Sequence, residues 1–142
     1  MSEKQILEEL EARANAGDAR AAYQLGEALL IGDHWDTPIT IDRPRAAQWY
    51  AKAAEAGECD AQYELGFMHL LGEGIPHDPE EGIRLMTASA EQDYKDPMVV
   101  LLDAYREGKW GVKADAALAA EWKAKLEDYD RRNPPPTDDD DD

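Results

Sequence analysis

The feature that most constrains this chain is that it repeats itself. Ala21-Ala22-Tyr23-Gln24-Leu25-Gly26 returns as Ala61-Gln62-Tyr63-Glu64-Leu65-Gly66, and each copy is followed by an apolar run that closes on a glycine, Gly32 and Gly72. A third, degraded copy runs from Pro97 through Leu101 and Tyr105 to Gly108. The second half of the unit also recurs. Asp42, Ala46, Trp49, Ala53 and Ala54 align with Asp78, Gly82, Leu85, Ser89 and Ala90, and Asp115, Ala119 and Trp122 continue the series. The spacing of these second halves, about 36 residues, falls in the range of helical-hairpin repeats.

Each recurring position has a physical reason. Small residues such as Gly26, Gly66 and Ala46 let helices approach closely, while Gly32, Gly72 and Gly108 suit left-handed helix ends. Asp42, Asp78 and Asp115 suit the N-cap of the helix that follows. Ala46, Trp49, Ala53 and Ala54, at helical spacing, predict one buried stripe, with Trp49 and Trp122 in the core.

With its Leu65-Gly66 pair, its Gly72-Glu73-Gly74-Ile75 turn and Asp78 after it, the segment 61–94 resembles a Sel-1-like repeat. The first copy departs from that pattern in a loop, residues 33–41, four residues longer than its counterpart. The third has Leu102 where the family has glycine, and one extra residue near Trp110. The resemblance covers residues 18–130 as three units, about 18–57, 58–94 and 95–130. Residues 1–17 echo the end of a second helix and are expected to cap the array; residues 131–142, rich in Pro and Asp, are expected to be a disordered tail. The resemblance thus implies an all-α, tetratricopeptide-like α/α solenoid of seven helices, near 3–16, 19–31, 43–56, 60–71, 79–92, 96–107 and 115–130. It also implies a concave face lined by the first helix of each hairpin, on or beside which Tyr23, Glu27, Ile31, Tyr63, Phe67, Leu71, Val99 and Asp103 lie.

The charge balance narrows the possible partners. Thirty-two acidic against fifteen basic residues leave −17, and without the five aspartates of residues 138–142 the body is still near −12. Such a field repels phosphate backbones and anionic membranes and speeds encounter with basic partners. The N-terminal segment lacks the basic start and apolar run of a signal peptide, and no stretch reaches the roughly 18 apolar residues of a membrane span. A lone Cys59 forbids an internal disulfide. These readings point to a cytoplasmic bacterial protein, monomeric or weakly dimeric, with no nucleic-acid or membrane partner.

Catalytic or metal chemistry finds little support. Ser89 occupies a packing position, Ser2 lies near the terminus and Cys59 sits in an inter-repeat turn, none beside a base. His34, His69 and His77 lack metal-ligand spacing; His69 is expected to pack with a hydrogen bond and His77 to be solvated. The Gly72-Glu73-Gly74-Ile75 turn lacks the Lys-Ser/Thr ending that phosphate binding requires. No cofactor and no metal site are expected. The resemblance includes secreted relatives linked to β-lactam chemistry, but those carry a cysteine pair in every repeat, and this chain does not.

Departures from the repeat are where partner contacts are expected. The long loop carries His34-Trp35-Asp36 and the third unit carries Trp110, and loop tryptophans are common interface anchors or seals of a helical stack. The expected partner-binding set is Tyr23, Glu27, Ile31, His34, Trp35, Asp36, Tyr63, Phe67, Asp103 and Trp110. The corresponding function is a non-catalytic solenoid that binds and neutralises a basic bacterial toxin as an immunity protein, or alternatively a scaffold or adaptor of a signalling or envelope complex; a hydrolase is the remote third reading.

Overall fold

The computed structural model of the protein describes residues 1–137, so the expectation placed on residues 138–142 lies outside the described residues. Seven helices are present among them: α1 (Glu3–Asn15), α2 (Ala19–Ile31), α3 (Arg43–Glu55), α4 (Cys59–Leu71), α5 (Pro79–Ala90), α6 (Lys95–Glu107) and α7 (Ala116–Arg132). The hairpins α2/α3, α4/α5 and α6/α7 stack in chain order, with α1 packed on α2, α3 on α4 and α5 on α6. This is the α/α solenoid that the repeat predicts.

The helix ends follow from single residues. Asp18, Asp42, Asp78 and Asp115 each accept backbone N–H groups as N-caps, of Ala21, Arg45, Glu81 and the Ala117–Leu118 pair. Pro44 and Pro79 sit in the first turns they open, where the missing N–H has no partner to lose. Gly32, Gly72 and Gly108 close the first helices in the left-handed conformation. Helix α7 runs through Arg131 and Arg132 before Pro134 restricts the residue ahead of it, two residues beyond the predicted end.

One element departs from the all-helical expectation. In the long first loop, β1 (Asp33–His34) and β2 (Thr37–Pro38) pair antiparallel, with His34 opposite Thr37 and Asp33 opposite Pro38. The loop is fixed at its base. Ile39 is buried, its N–H donates to the Gly32 carbonyl at 2.9 Å, and the Thr40 N–H donates to the Glu3 carboxylate of α1 at 2.6 Å.

The core consists of two clusters. Ile6, Leu10, Leu25, Leu29 and Tyr50 fill the space among α1 to α4; Leu70, Met86, Met98, Leu101 and Trp122 fill that among α4 to α7. Trp49 corrects the predicted stripe: it is only partly buried, and its neighbour Tyr50, 1% exposed, occupies the interior. Tyr50 lies across Gly26, whereas Trp49 is turned to the edge with the Lys52 ammonium 5.3 Å from its ring. Trp122 is buried as expected.

Successive units are tied by polar pairs as well. Arg20 of α2 reaches Glu58 and Asp60 at the start of α4, at 2.6 and 2.7 Å. Arg132 of α7 binds Asp93 of the preceding unit through two nitrogens, while within the third hairpin Lys95 of α6 binds Asp130 of α7 at 2.7 Å. Ser89 donates to the Cys59 carbonyl at 2.9 Å, which is the packing role expected of it.

Candidate functional site

The first helices, α2, α4 and α6, carry large apolar side chains that no other helix covers. Ile31 is 59% exposed, Leu71 45% and Val99 38%. Ile31 and Leu71 hold equivalent positions, just before the glycines that close α2 and α4, and Val99 lies in the first turns of α6; together these water-facing apolar groups offer a surface to a partner.

Around them the expected contact residues separate into two groups. In the first, Glu27 and Ile31 of α2 and His34 and Trp35 of the hairpin line one groove with Gln24 and Asp33. In the second, the Tyr94, Tyr63, Phe67 and Trp110 rings stand edge to face in succession, with centroids 5.5, 5.8 and 5.7 Å apart. Such edge contacts are the favoured geometry of aromatic quadrupoles and hold the rings firmly. Trp35 and Trp110 therefore belong to different ends of the array.

Tyr23 corrects the expected face, because it is 9% exposed and belongs to the core. Its ring lies 5.7 Å from that of Tyr50, its hydroxyl donates to the Glu27 carboxylate at 2.8 Å, and the Arg20 guanidinium covers it at 4.5 Å. Burial, and then the bond to Glu27, push its phenol above the ordinary tyrosine range. Its contribution to the face is to hold Glu27 in place. Asp103 is likewise engaged, accepting from Arg106 one turn on at 2.9 Å.

Beside Glu27 stands Glu64 of α4, a half-buried carboxylate absent from the predicted set. Burial pushes its pKa up, and the other charges acting on it, Glu27 and Asp60, push the same way. Tyr94 is the other residue sequence reasoning passed over. It occupies the N-cap position of α6, where the equivalent residues are Asp18 and Glu58. An aromatic residue at a position that ordinarily takes a capping side chain was the available signal.

The tryptophan loops are built differently. Trp110 is half-buried against Phe67, and its carbonyl lies 3.0 Å from His77 Nε2, so His77 is exposed but bound rather than simply solvated. Trp35 is 83% exposed at the tip of the β1–β2 hairpin. It and Asp36 have φ of 50° and 65°, the left-handed pair that a two-residue hairpin turn requires. Asp36 also projects at this tip, where its N–H donates to Asp33 at 3.4 Å. His69 differs from expectation too: its Nδ1 is buried and has no hydrogen-bond partner. Among the described residues no cluster of metal-ligating side chains converges, and no helix is long and apolar enough to cross a membrane.

Comparison with known proteins follows the same architecture. The Sel1 repeat profile matches residues 19–58, 59–94 and 103–122. The chain is 28% identical over 116 residues to human protein sel-1 homolog 2, covering 82% of this chain and 16% of that protein. It is 36% identical over 78 residues to the ERAD-associated E3 ubiquitin-protein ligase component HRD3A of Arabidopsis thaliana, covering 52% of this chain and 12% of that one. The chain thus spans a small fraction of the length of these relatives. A Sel1 repeat protein from Oxalobacter formigenes superposes with a TM-score of 0.72 at 29% identity, over 86% of this chain and 48% of that structure.

Proposed function

Since the chain belongs to the Sel1 repeat family, we propose that it is a non-catalytic protein-binding scaffold whose first-helix face takes hold of a basic partner. The observation that carries this reading is the make-up of that face. Apolar Ile31, Leu71 and Val99 stand out to water, and the neighbouring Glu27 and Glu64 crowd negative charge together. A partner that presents lysine or arginine beside apolar anchors gains contact area and relieves that repulsion in one step.

Within this class the specific reading is a cytoplasmic bacterial immunity protein that neutralises a basic toxin or effector. Its support is the net charge of −17 on 142 residues. An acidic body is suited to cover a site built to hold an anionic substrate. The alternative is a part of a larger assembly, favoured by the likeness to HRD3A, which is named as a ligase component.

Co-expression with the product of the adjacent gene, followed by pull-down, separates the two. Rescue of growth together with a stable complex is the expected result, and the absence of both overturns the immunity reading. Charge reversal of Glu27 and Asp103 to lysine is expected to weaken the complex at least about tenfold and to flatten its salt dependence while helix content stays constant. Unchanged affinity in that variant removes the binding site from this face.

A further inference from the structure

Three of the four tryptophans of this chain are accompanied by a lysine of the chain itself. Lys52 lies 5.3 Å from the ring of Trp49, Lys109 5.6 Å from that of Trp110, and Lys125 4.3 Å from that of Trp122. Trp35 is the exception among the described residues. Its only ring neighbour is His34, edge-on at 6.1 Å, and it is the most exposed large apolar side chain.

The charges around Trp35 are mainly negative. Glu27 and Asp33 line the groove on one side of the indole, Glu9 lines the groove on the other, and Asp36 follows it in the turn. Among the described residues the one lysine or arginine lining these grooves, Arg13, is already bound through two nitrogens to Asp18, at 3.3 and 3.0 Å. An uncovered indole face among carboxylates is the chemistry that receives a guanidinium, which stacks on the ring through its plane while the carboxylates take its N–H groups.

The hairpin is also built to present that ring in a fixed place. Ile39 is buried in the core, its N–H is bound to Gly32, and the Thr40 N–H is bound to Glu3, so the base of the loop is anchored to two helices. The tip keeps non-glycine residues at positive φ, a conformation that costs free energy in most contexts and that the anchored base must sustain. Trp35 therefore stands out to water on a rigid support, which lowers the entropy lost when a partner docks.

We infer that the Trp35 hairpin is an arginine-reading element: its indole face and the carboxylates beside it receive an arginine side chain of a basic protein partner. The inference rests on the reading that the chain binds a basic protein, and it adds a residue preference that acidity alone does not supply. Carboxylates attract lysine and arginine alike, whereas a planar cation stacks on an indole better than a compact ammonium does.

The test uses the full chain with two probes, acetylated nona-arginine and acetylated nona-lysine, titrated calorimetrically at low and at physiological salt. The wild type is expected to bind the arginine peptide more tightly than the lysine peptide. Trp35→Ala is expected to weaken the arginine peptide about three- to tenfold and to abolish the preference. In a parallel NMR titration the indole N–H resonance that Trp35→Ala removes is expected to shift with the arginine peptide. The exposed tip makes this variant safe for the fold, which circular dichroism checks.

Arginine binding and preference left intact by Trp35→Ala overturn this inference alone. So does a wild type that binds both peptides equally. If the wild type binds neither peptide at low salt, the basic-partner reading fails together with it.

Discussion

Tyr50 lies against the bare backbone of Gly26: a Cβ at position 26 would fall 2.7 Å from Tyr50 Cδ1 and 3.1 Å from the Ala46 carbonyl oxygen. Tyr50 is 1% exposed and has no room to retreat. Gly26→Val is therefore expected to destabilise the protein by about 1–3 kcal/mol through overpacking, and Tyr50→Ala by about 3–5 kcal/mol through the cavity it leaves. The double variant is expected to lose clearly less than the two losses added, because the smaller side chain at 50 admits the added methyls. Urea denaturation of the four proteins checks this, and strict additivity contradicts the contact.

Glu64 gives a prediction in pH. Its carboxyl titrates above the ordinary glutamate value of 4.5, chiefly through burial and then through Glu27 and Asp60. A raised pKa means that the folded state binds the proton more tightly than the unfolded one, so Glu64 favours folding at low pH and loses that contribution as pH climbs through its folded pKa. Glu64→Gln is accordingly expected to raise the urea midpoint at pH 7 and to leave it unchanged at pH 4. An equal midpoint shift at both pH values would mean that the gain comes from something other than charge.

His77 and Trp110 join the second and third units at the loops that follow their first helices, through the ring nitrogen and the carbonyl 3.0 Å apart. His77→Ala is expected to cost about 0.5–1.5 kcal/mol, the ordinary net value of such a bond. Amide exchange separates a local from a global effect: faster exchange at Gly111 and Val112 with unchanged rates in α2 is the expected pattern, and uniform acceleration along the chain rules out a local clip.

Helix ends were legible because one residue type answers one geometric need. An aspartate caps α3, α5 and α7 and a left-handed glycine closes α2, α4 and α6, as their sequence positions suggest, and Asp18 adds the same cap to α2. Phase was harder to read. Trp49 aligns with Leu85 and Trp122, which are both buried, yet next to it Tyr50 fills the slot across Gly26 and leaves Trp49 at the margin. One position along a helix turns a side chain by about 100°, so a family column fixes the stripe only to within that turn.

The hairpin was not legible at all. Its strands have two residues each, too short for an alternating pattern, and its turn lacks the Asn-Gly or Asp-Gly pair that usually marks such a connection. Of the face itself, Ile31 and Phe67 were expected from their register in the repeat, and Trp110 from a departure from it. Glu64 was not, because one carboxylate among thirty-two acidic residues carries no signal until its surroundings are known.

The ties between units, Arg20 with Glu58 and Asp60 and Arg132 with Asp93, each reach a neighbouring hairpin and skip none. Load applied to the two ends of such a chain passes through these joints in series, as through the links of a hinged rule. Separation of one link leaves the next one whole, so the array can open unit by unit rather than all at once.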